Sequence, residues 1–114
     1  MKLMKLKKNR EFANVYRNGA YHADKILVVY VLKNKRDRSY FGFAVGKKVG
    51  GSVIRSRVTR LLREAVRTNA NAVRPGFDIV VLARAGAGSG RLEQIERSYL
   101  RLVKKSRAAA GRAD

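Results

Sequence analysis

The chain has no cysteine and no tryptophan, and only one proline and one histidine. Without cysteine there can be neither a disulfide nor a thiolate metal site of the zinc-finger kind. His22, flanked by Tyr21, Ala23 and Asp24, has no second imidazole to complete a metal site or a Ser-His-Asp arrangement, and reads as a surface histidine. Acidic residues are scarce as well: 8 Asp and Glu stand against 27 Lys and Arg, a formal charge of +19. Glu11, Asp24, Asp37, Glu64, Asp78, Glu93, Glu96 and Asp114 are scattered, with no D-x-D or E-x-x-H grouping to hold two metals. No catalytic residues and no metal ligands are therefore expected on the protein. No apolar run approaches the roughly 18 residues of a membrane-spanning helix, and the basic N-terminus lacks the apolar stretch of a secretion signal. A cytoplasmic protein is expected.

What is present is enough apolar material for one core. At 114 residues and 46% hydrophobic, the chain suits a single domain, here placed at residues 1–107 with 108–114 as a disordered tail. A charge of +19 would repel itself in the compact state unless a polyanion neutralised it. The excess runs along almost the whole length, whereas a membrane or an acidic protein partner usually draws on a local patch, so nucleic acid is the expected partner.

The pattern of residues predicts an α+β fold. Asn9 can cap a short helix with Glu11 in its first turn, Phe12, Val15 and Tyr16 on one face, and Gly19 as its stop. KILVVYVL, Lys25 to Leu32, reads as a strand buried on much of both faces, and the polar stretch Asn34 to Ser39 as a hairpin turn into a second strand, Tyr40 to Val45. Within that strand Gly42 marks a place of close approach to the backbone. Gly50 and Gly51 precede a helix capped by Ser52 that runs to about Thr68. After the connection Asn69 to Gly76, FDIVVLA from Phe77 to Ala83 is a third strand, which implies a βαβ-like crossover. Ala85 to Gly90, AGAGSG, reads as a flexible connection. Leu92, Ile95, Tyr99, Leu102 and Val103 then recur at helical spacing up to about Lys105.

Neither glycine-rich segment is a nucleotide loop. AGAGSG has the wrong spacing for either phosphate-binding pattern, and after Gly46-Lys47 the residue Lys48 stands where Ser or Thr would ligate magnesium. The segment KKVGGSVIRSRVTRLLRE, Lys47 to Glu64, is more informative. On a helix at about 100° per residue, Ile54, Val58, Leu61, Leu62 and Ala65 fall in one arc, and Arg57, Arg60, Arg63 and Arg67 fall roughly opposite. Solvated helices mix signs so that acids and bases pair, yet here Glu64 is the only acid among the arginines from Arg55 to Arg67. An external anion is the natural compensation, and the planar guanidinium fork suits phosphate. A second candidate surface combines Phe12, Tyr16 and Tyr30 with Lys5, Lys7, Lys8 and Arg10: aromatic rings stack on unpaired bases and lysines track the backbone. A phenylalanine beside Val15 is also an ordinary core residue, whereas the tyrosine hydroxyls favour a wet edge.

These residues resemble the protein subunit of bacterial ribonuclease P. The likeness covers about residues 6–107, from LKKNREFANVYRNG through YFGFAVGKKVG and the arginine helix to DIVVLAR and the last helix. The family pattern Lys-Lys-x-Gly-Asn-Ala-Val-x-Arg-Asn-Arg-x-Lys-Arg, followed by Arg-Glu, is matched by Lys47, Lys48, Gly50, Val53, Arg55, Arg57, Arg60, Arg63 and Glu64. Gly51, Ser56 and Thr59 depart from it, and at Ser56 a short hydroxyl replaces an amide, implying an altered RNA contact there. The resemblance implies a two-layer α/β sandwich with a small central sheet, an N-terminal helix, an Arg-rich crossover helix in a left-handed βαβ unit and a C-terminal helix. It also implies that the chemistry belongs to a catalytic RNA that uses Mg2+, held mainly by the RNA and substrate, to remove the 5′ leader from precursor tRNA. The holoenzyme is then an endoribonuclease whose protein alone is inactive. By position, Arg55, Ser56, Arg57, Arg60, Arg63 and Arg67 would meet the catalytic RNA. Phe12, Tyr16, Tyr30, Lys8, Lys47 and Lys48 would meet the leader. The partners implied are that RNA and precursor tRNA, with neither DNA nor membrane. A structural RNA binder of the ribosomal-protein type fits the same charge, and a free-standing nuclease is the third reading.

Overall fold

The computed structural model describes residues 3–112. Its elements follow in the order β1 (Met4–Lys5), α1 (Asn9–Asn18), β2 (Ala20–Ala23), β3 (Leu27–Lys33), β4 (Tyr40–Val45), α2 (Ser52–Thr68), β5 (Phe77–Ala83) and α3 (Leu92–Lys104). The five strands form one mixed sheet in the order β1-β4-β5-β3-β2.

The expected hairpin between β3 and β4 does not form. The two strands run in opposite directions, but β5 lies between them, antiparallel to β3 and parallel to β4. The reason is the crossover: α2 carries the chain back so that β5, the most buried strand, is paired along both edges and buries Phe77, Ile79, Val80, Val81 and Ala83. The segment Asn34 to Ser39 is a loop without a tight turn, held by Asn34, whose Nδ2 donates to Asp78 Oδ1 at 2.8 Å.

The main core is a two-layer sandwich of the sheet against α2 and α3. Leu27, Val29 and Val31 of β3, Phe41 of β4 and Ile79 and Val81 of β5 pack against Val58, Leu62, Ala65 and Val66 of α2 and Ile95, Tyr99, Leu102 and Val103 of α3. Helix α1 lies on the opposite face, where Val15 joins Leu6 and Val80 in a second, smaller cluster. Strand β3 is therefore fully buried on one face and half-buried on the other, not buried on both.

Several local expectations are corrected by contacts between distant segments. The caps of α1 and α2 are Lys8 and Gly51, so Asn9 and Ser52 become the first helical residues. Gly19 ends α1 with φ −85, and glycine is required there because a Cβ would sit 2.6 Å from the Val15 carbonyl oxygen and 2.8 Å from that of Val31. The Ala85–Ser89 segment is a tight 3₁₀ turn with Ala87 buried, where a flexible connection was expected. His22 is half-buried, opposite Val29 on β2, and so on the face that carries α3. The expected disordered tail is also ordered as far as it is described. Ala108 and Ala109 are buried, Ala109 bridges Val73, and the Ala110 N–H donates to the Ala72 carbonyl. Asp114 lies outside the described residues.

Candidate nucleic-acid interface

On the face that carries α1, residues opposite one another in the strands form cross-strand rows. One row runs Tyr21, Tyr30, Val80, Gly42, and the next runs Ala23, Val28, Leu82, Ala44. Helix α1 covers the first row. Phe12 lies over Gly42, where an added Cβ would be 2.6 Å from the Phe12 Cζ, which is the close approach Gly42 signalled. Tyr16 meets Tyr30 edge-on at 4.9 Å between ring centroids, and Tyr21 stacks beside Tyr30 at 5.5 Å. The second row stands apart from α1: Val28, Ala44 and Leu82 are half-buried and belong to neither apolar cluster among the described residues.

The result is a cleft with an apolar floor and a ledge of three tyrosines. Tyr16 is 40% exposed and Tyr21 63%, so both rings present area to the solvent side. Burial, and then the neighbouring Tyr30, raise the Tyr16 hydroxyl above its ordinary pKa, so it remains a neutral donor. Beyond the second row the cleft ends at a cationic lip, where Lys25, Lys47, Lys48 and Arg84 line a pocket of about 580 Å³ floored by Leu82 and Val49. Lys47 and Lys48 sit on a short 3₁₀ turn, Lys47–Val49, that leads out of β4. Flat aromatic area beside a cationic lip can accept unpaired bases and their phosphates together.

The second surface is the outer side of α2. Arg60 and Arg63 are exposed and make no hydrogen bond or ion pair among the described residues. Arg67 pairs with Glu64 at 2.7 Å, which neutralises the one acid of the helix. Arg55, Ser56, Thr59, Arg60, Arg63 and Ser52 surround a polar depression of about 370 Å³. Arg57, expected among the phosphate ligands, is instead turned inward. It is half-buried, and its guanidinium donates to the carbonyls of Gly88 at 2.6 Å and Gly90 at 3.0 Å.

A groove of about 880 Å³ runs round the β1 edge between the two surfaces. Arg60, Arg63 and Arg67 form one wall and Lys5, Lys7, Lys8 and Arg36 the other, with Glu11 and Glu64 the only acids. Lys8, expected at the leader side, thus lies in this groove at the start of α1. Glu11 is committed there: hydrogen bonds from the backbone N–H groups of Lys7 and Lys8, both 2.9 Å, hold its carboxyl below the usual range. Arg36 lies over the Tyr40 ring at 4.2 Å.

The sequence reading missed Tyr21, Lys25 and Arg84. Tyr21 could have been found only by recognising β2, whose four residues AYHA give too short an alternation. Lys25 and Arg84 are brought to the lip by the Val28↔Leu82 register, a pairing of segments far apart in the chain.

A family model described as Ribonuclease P matches residues 1–107. The ribonuclease P protein component of Clostridioides difficile (strain 630) is 44% identical over 102 residues, covering 89% of this chain and 90% of that protein. That of Natranaerobius thermophilus is 44% identical over 105 residues, covering 92% and 91%. Among solved structures, the Staphylococcus aureus RNase P protein superposes with a TM-score of 0.85 at 31% identity, covering 95% of this chain and 99% of that one. The Thermotoga maritima RNase P protein gives 0.81 at 28% identity, covering 90% and 96%.

Proposed function

Because the chain belongs to the ribonuclease P protein family, we propose that it binds the catalytic RNA through α2 and the single-stranded 5′ leader of precursor tRNA through the sheet-face cleft. One protein can serve both, since folded RNA offers mainly phosphates and 2′-hydroxyls while a single strand offers bases for stacking. Arg55, Ser56, Arg60, Arg63 and Arg67 are the contacts to the catalytic RNA. Phe12 holds α1 over Gly42, Tyr16, Tyr21 and Tyr30 receive bases, and Lys47 and Lys48 meet the leader backbone. Lys8 acts from the edge groove.

In this reading the protein raises precursor affinity and lowers the demand for Mg2+ by neutralising crowded phosphates. Its own acids do not suit a catalytic metal. No group of three or more His, Asp or Glu able to hold one exists among the described residues. Glu11 accepts from the Lys7 and Lys8 backbone N–H groups, Asp24 accepts from Ser98 and Arg101, Glu64 pairs with Arg67, Asp78 accepts from Asn34, and Glu96 accepts from Asn69. In this reading Mg2+ is held mainly by the RNA and substrate. No helix among the described residues is long and apolar enough to cross a membrane. We place the protein with its RNA in the cytoplasm.

The half-buried row Val28, Leu82, Ala44 beside three tyrosines carries this reading, because a purely structural RNA binder has no use for a preformed single-strand groove. Reconstitution with a bacterial ribonuclease P RNA tests it. Precursor cleavage at low Mg2+ should require both components, and Tyr16→Ala should weaken precursor binding while hardly affecting mature tRNA. Cleavage by pure protein, or equal weakening for both tRNAs, would overturn it.

A further inference from the structure

We propose that Arg57 is a positioning residue that ties the arginine helix to the cationic lip of the cleft, and is not a ligand for RNA phosphate. The inference rests on the reading that the cleft receives single-stranded RNA. Helical spacing puts Arg57 beside Arg60, but its side chain is half-buried and each terminal nitrogen directs an N–H at a backbone carbonyl, Gly88 at 2.6 Å and Gly90 at 3.0 Å, which turns the fork away from the face that carries Arg60. Such charge-assisted bonds are stronger than neutral ones, and a planar fork can serve two carbonyls at once. These two carbonyls flank Ser89, where the Ala85–Ser89 turn ends.

The loop held in this way leaves no space against two other segments. A Cβ on Gly86 would lie 2.5 Å from the Lys25 carbonyl oxygen, and one on Gly88 would lie 2.4 Å from that of Val49. The obstructing atoms are backbone, which cannot swing aside, and Ala87 between the two glycines is fully buried. Lys25 begins the approach to β3, and Val49 closes the turn that carries Lys47 and Lys48. Arg84, which immediately precedes the loop, completes the lip. A rigid path thus runs from α2 through Arg57 and the glycine loop to all four lip cations. The helix that grips one RNA thereby fixes where the other RNA is met.

The test uses holoenzyme assembled with a bacterial ribonuclease P RNA and carrying Arg57→Gln, Arg57→Lys, Arg60→Gln or Tyr16→Ala. Two quantities are read: the slope of log protein–RNA affinity against log salt, and the preference for precursor with a long leader over mature tRNA. Arg57→Gln should leave the slope unchanged and lower the preference about five- to tenfold, as expected for a misplaced charge-assisted contact. Arg57→Lys, which keeps the charge but cannot span both carbonyls, should lower it as far. Arg60→Gln should do the reverse, flattening the slope by about 0.7–0.9 for one lost phosphate contact. A flattened slope in Arg57→Gln, or full function in Arg57→Lys, overturns the proposal. If Tyr16→Ala lowers the preference and Arg57→Gln does not, this inference alone fails; if neither lowers it, the cleft reading fails. Should Arg57→Gln not fold, Arg57→Lys carries the comparison with a structural readout. The amides of Val49 and Gly50, bonded to the Gly46 and Lys47 carbonyls, should then exchange faster with solvent, and unchanged protection overturns the proposal.

Discussion

Removing the Asp24 carboxylate would break a clasp that joins three elements at the lip of the cleft. Its Oδ1 accepts from the backbone N–H groups of Ile26 at 2.8 Å and Leu27 at 2.9 Å. Its Oδ2 accepts from Ser98 Oγ at 2.6 Å and Arg101 Nη2 at 2.9 Å; the Asp24 backbone carbonyl, which the substitution leaves in place, accepts from Arg84 Nη1 at 3.0 Å. Burial pushes the carboxyl pKa up, but the hydrogen bonds from Ser98, Leu27, Arg101 and Ile26 outweigh it and hold the group at about 2 against an ordinary 3.8. By linkage that difference is worth roughly 2 kcal/mol at neutral pH. Screening of the half-exposed Arg101 partner reduces it to about 1–2 kcal/mol. Asp24→Ala also strands the fully buried Ser98 hydroxyl, adding about 1–3 kcal/mol. A total near 3 kcal/mol corresponds to a melting temperature lower by roughly 10–15 °C. The folded pKa lies below the unfolded one, so this contribution is complete above 3.8 and is lost as pH falls toward 2. In thermal circular dichroism, the gap between the unaltered protein and Asp24→Asn should be constant at neutral and mildly acidic pH and close between about pH 4 and 2. A gap that stays constant across the acid range would refute the ionic origin of the clasp.

Two further substitutions probe the packing. The Tyr99 hydroxyl is buried with no hydrogen-bond partner among the described residues, and burial raises its pKa well above the ordinary range. Tyr99→Phe should leave stability unchanged or raise it by up to about 1 kcal/mol in urea unfolding, and a loss of that size would show an unseen partner. Gly42→Ala forces the Phe12 ring away from the sheet. It should cost about 1–3 kcal/mol by overpacking and weaken precursor binding through the displaced α1; wild-type values of both would contradict the seating of Phe12.

The parts of the fold written in long local periodicities were legible from the sequence. Leu27 to Leu32, Phe77 to Ala83, α2 and α3 are each long enough for their pattern to outweigh propensity noise. β1 and β2, with 2 and 4 residues, are not; they exist because β4 and β3 offer edges to pair with. The hairpin expectation failed because a polar loop of hairpin length reports local chain reversal and says nothing of which strand fills the space between. The same limit applies to the tail, where small residues that look disordered are held by Val73 and Ala72 from far back in the chain. At the candidate interface, periodicity placed Arg60, Arg63 and Arg67 on the outer side of α2 and Phe12 and Tyr16 on α1. It assigned Arg57 a side but could not see carbonyls 31 and 33 residues away. Gly42 was the exception, a single residue whose missing side chain correctly announced a close neighbour.

On one face of the sheet the tyrosine ledge, the Val28, Leu82, Ala44 row and the lip at Lys25, Lys47, Lys48 and Arg84 follow one another. The most direct test of the account is the affinity of reconstituted holoenzyme for precursor tRNAs that differ only in leader length. Affinity should rise as nucleotides are added until the strand reaches the lip, then level off, with the plateau lowered by Tyr16→Ala. An affinity independent of leader length, identical to that for mature tRNA, would contradict it.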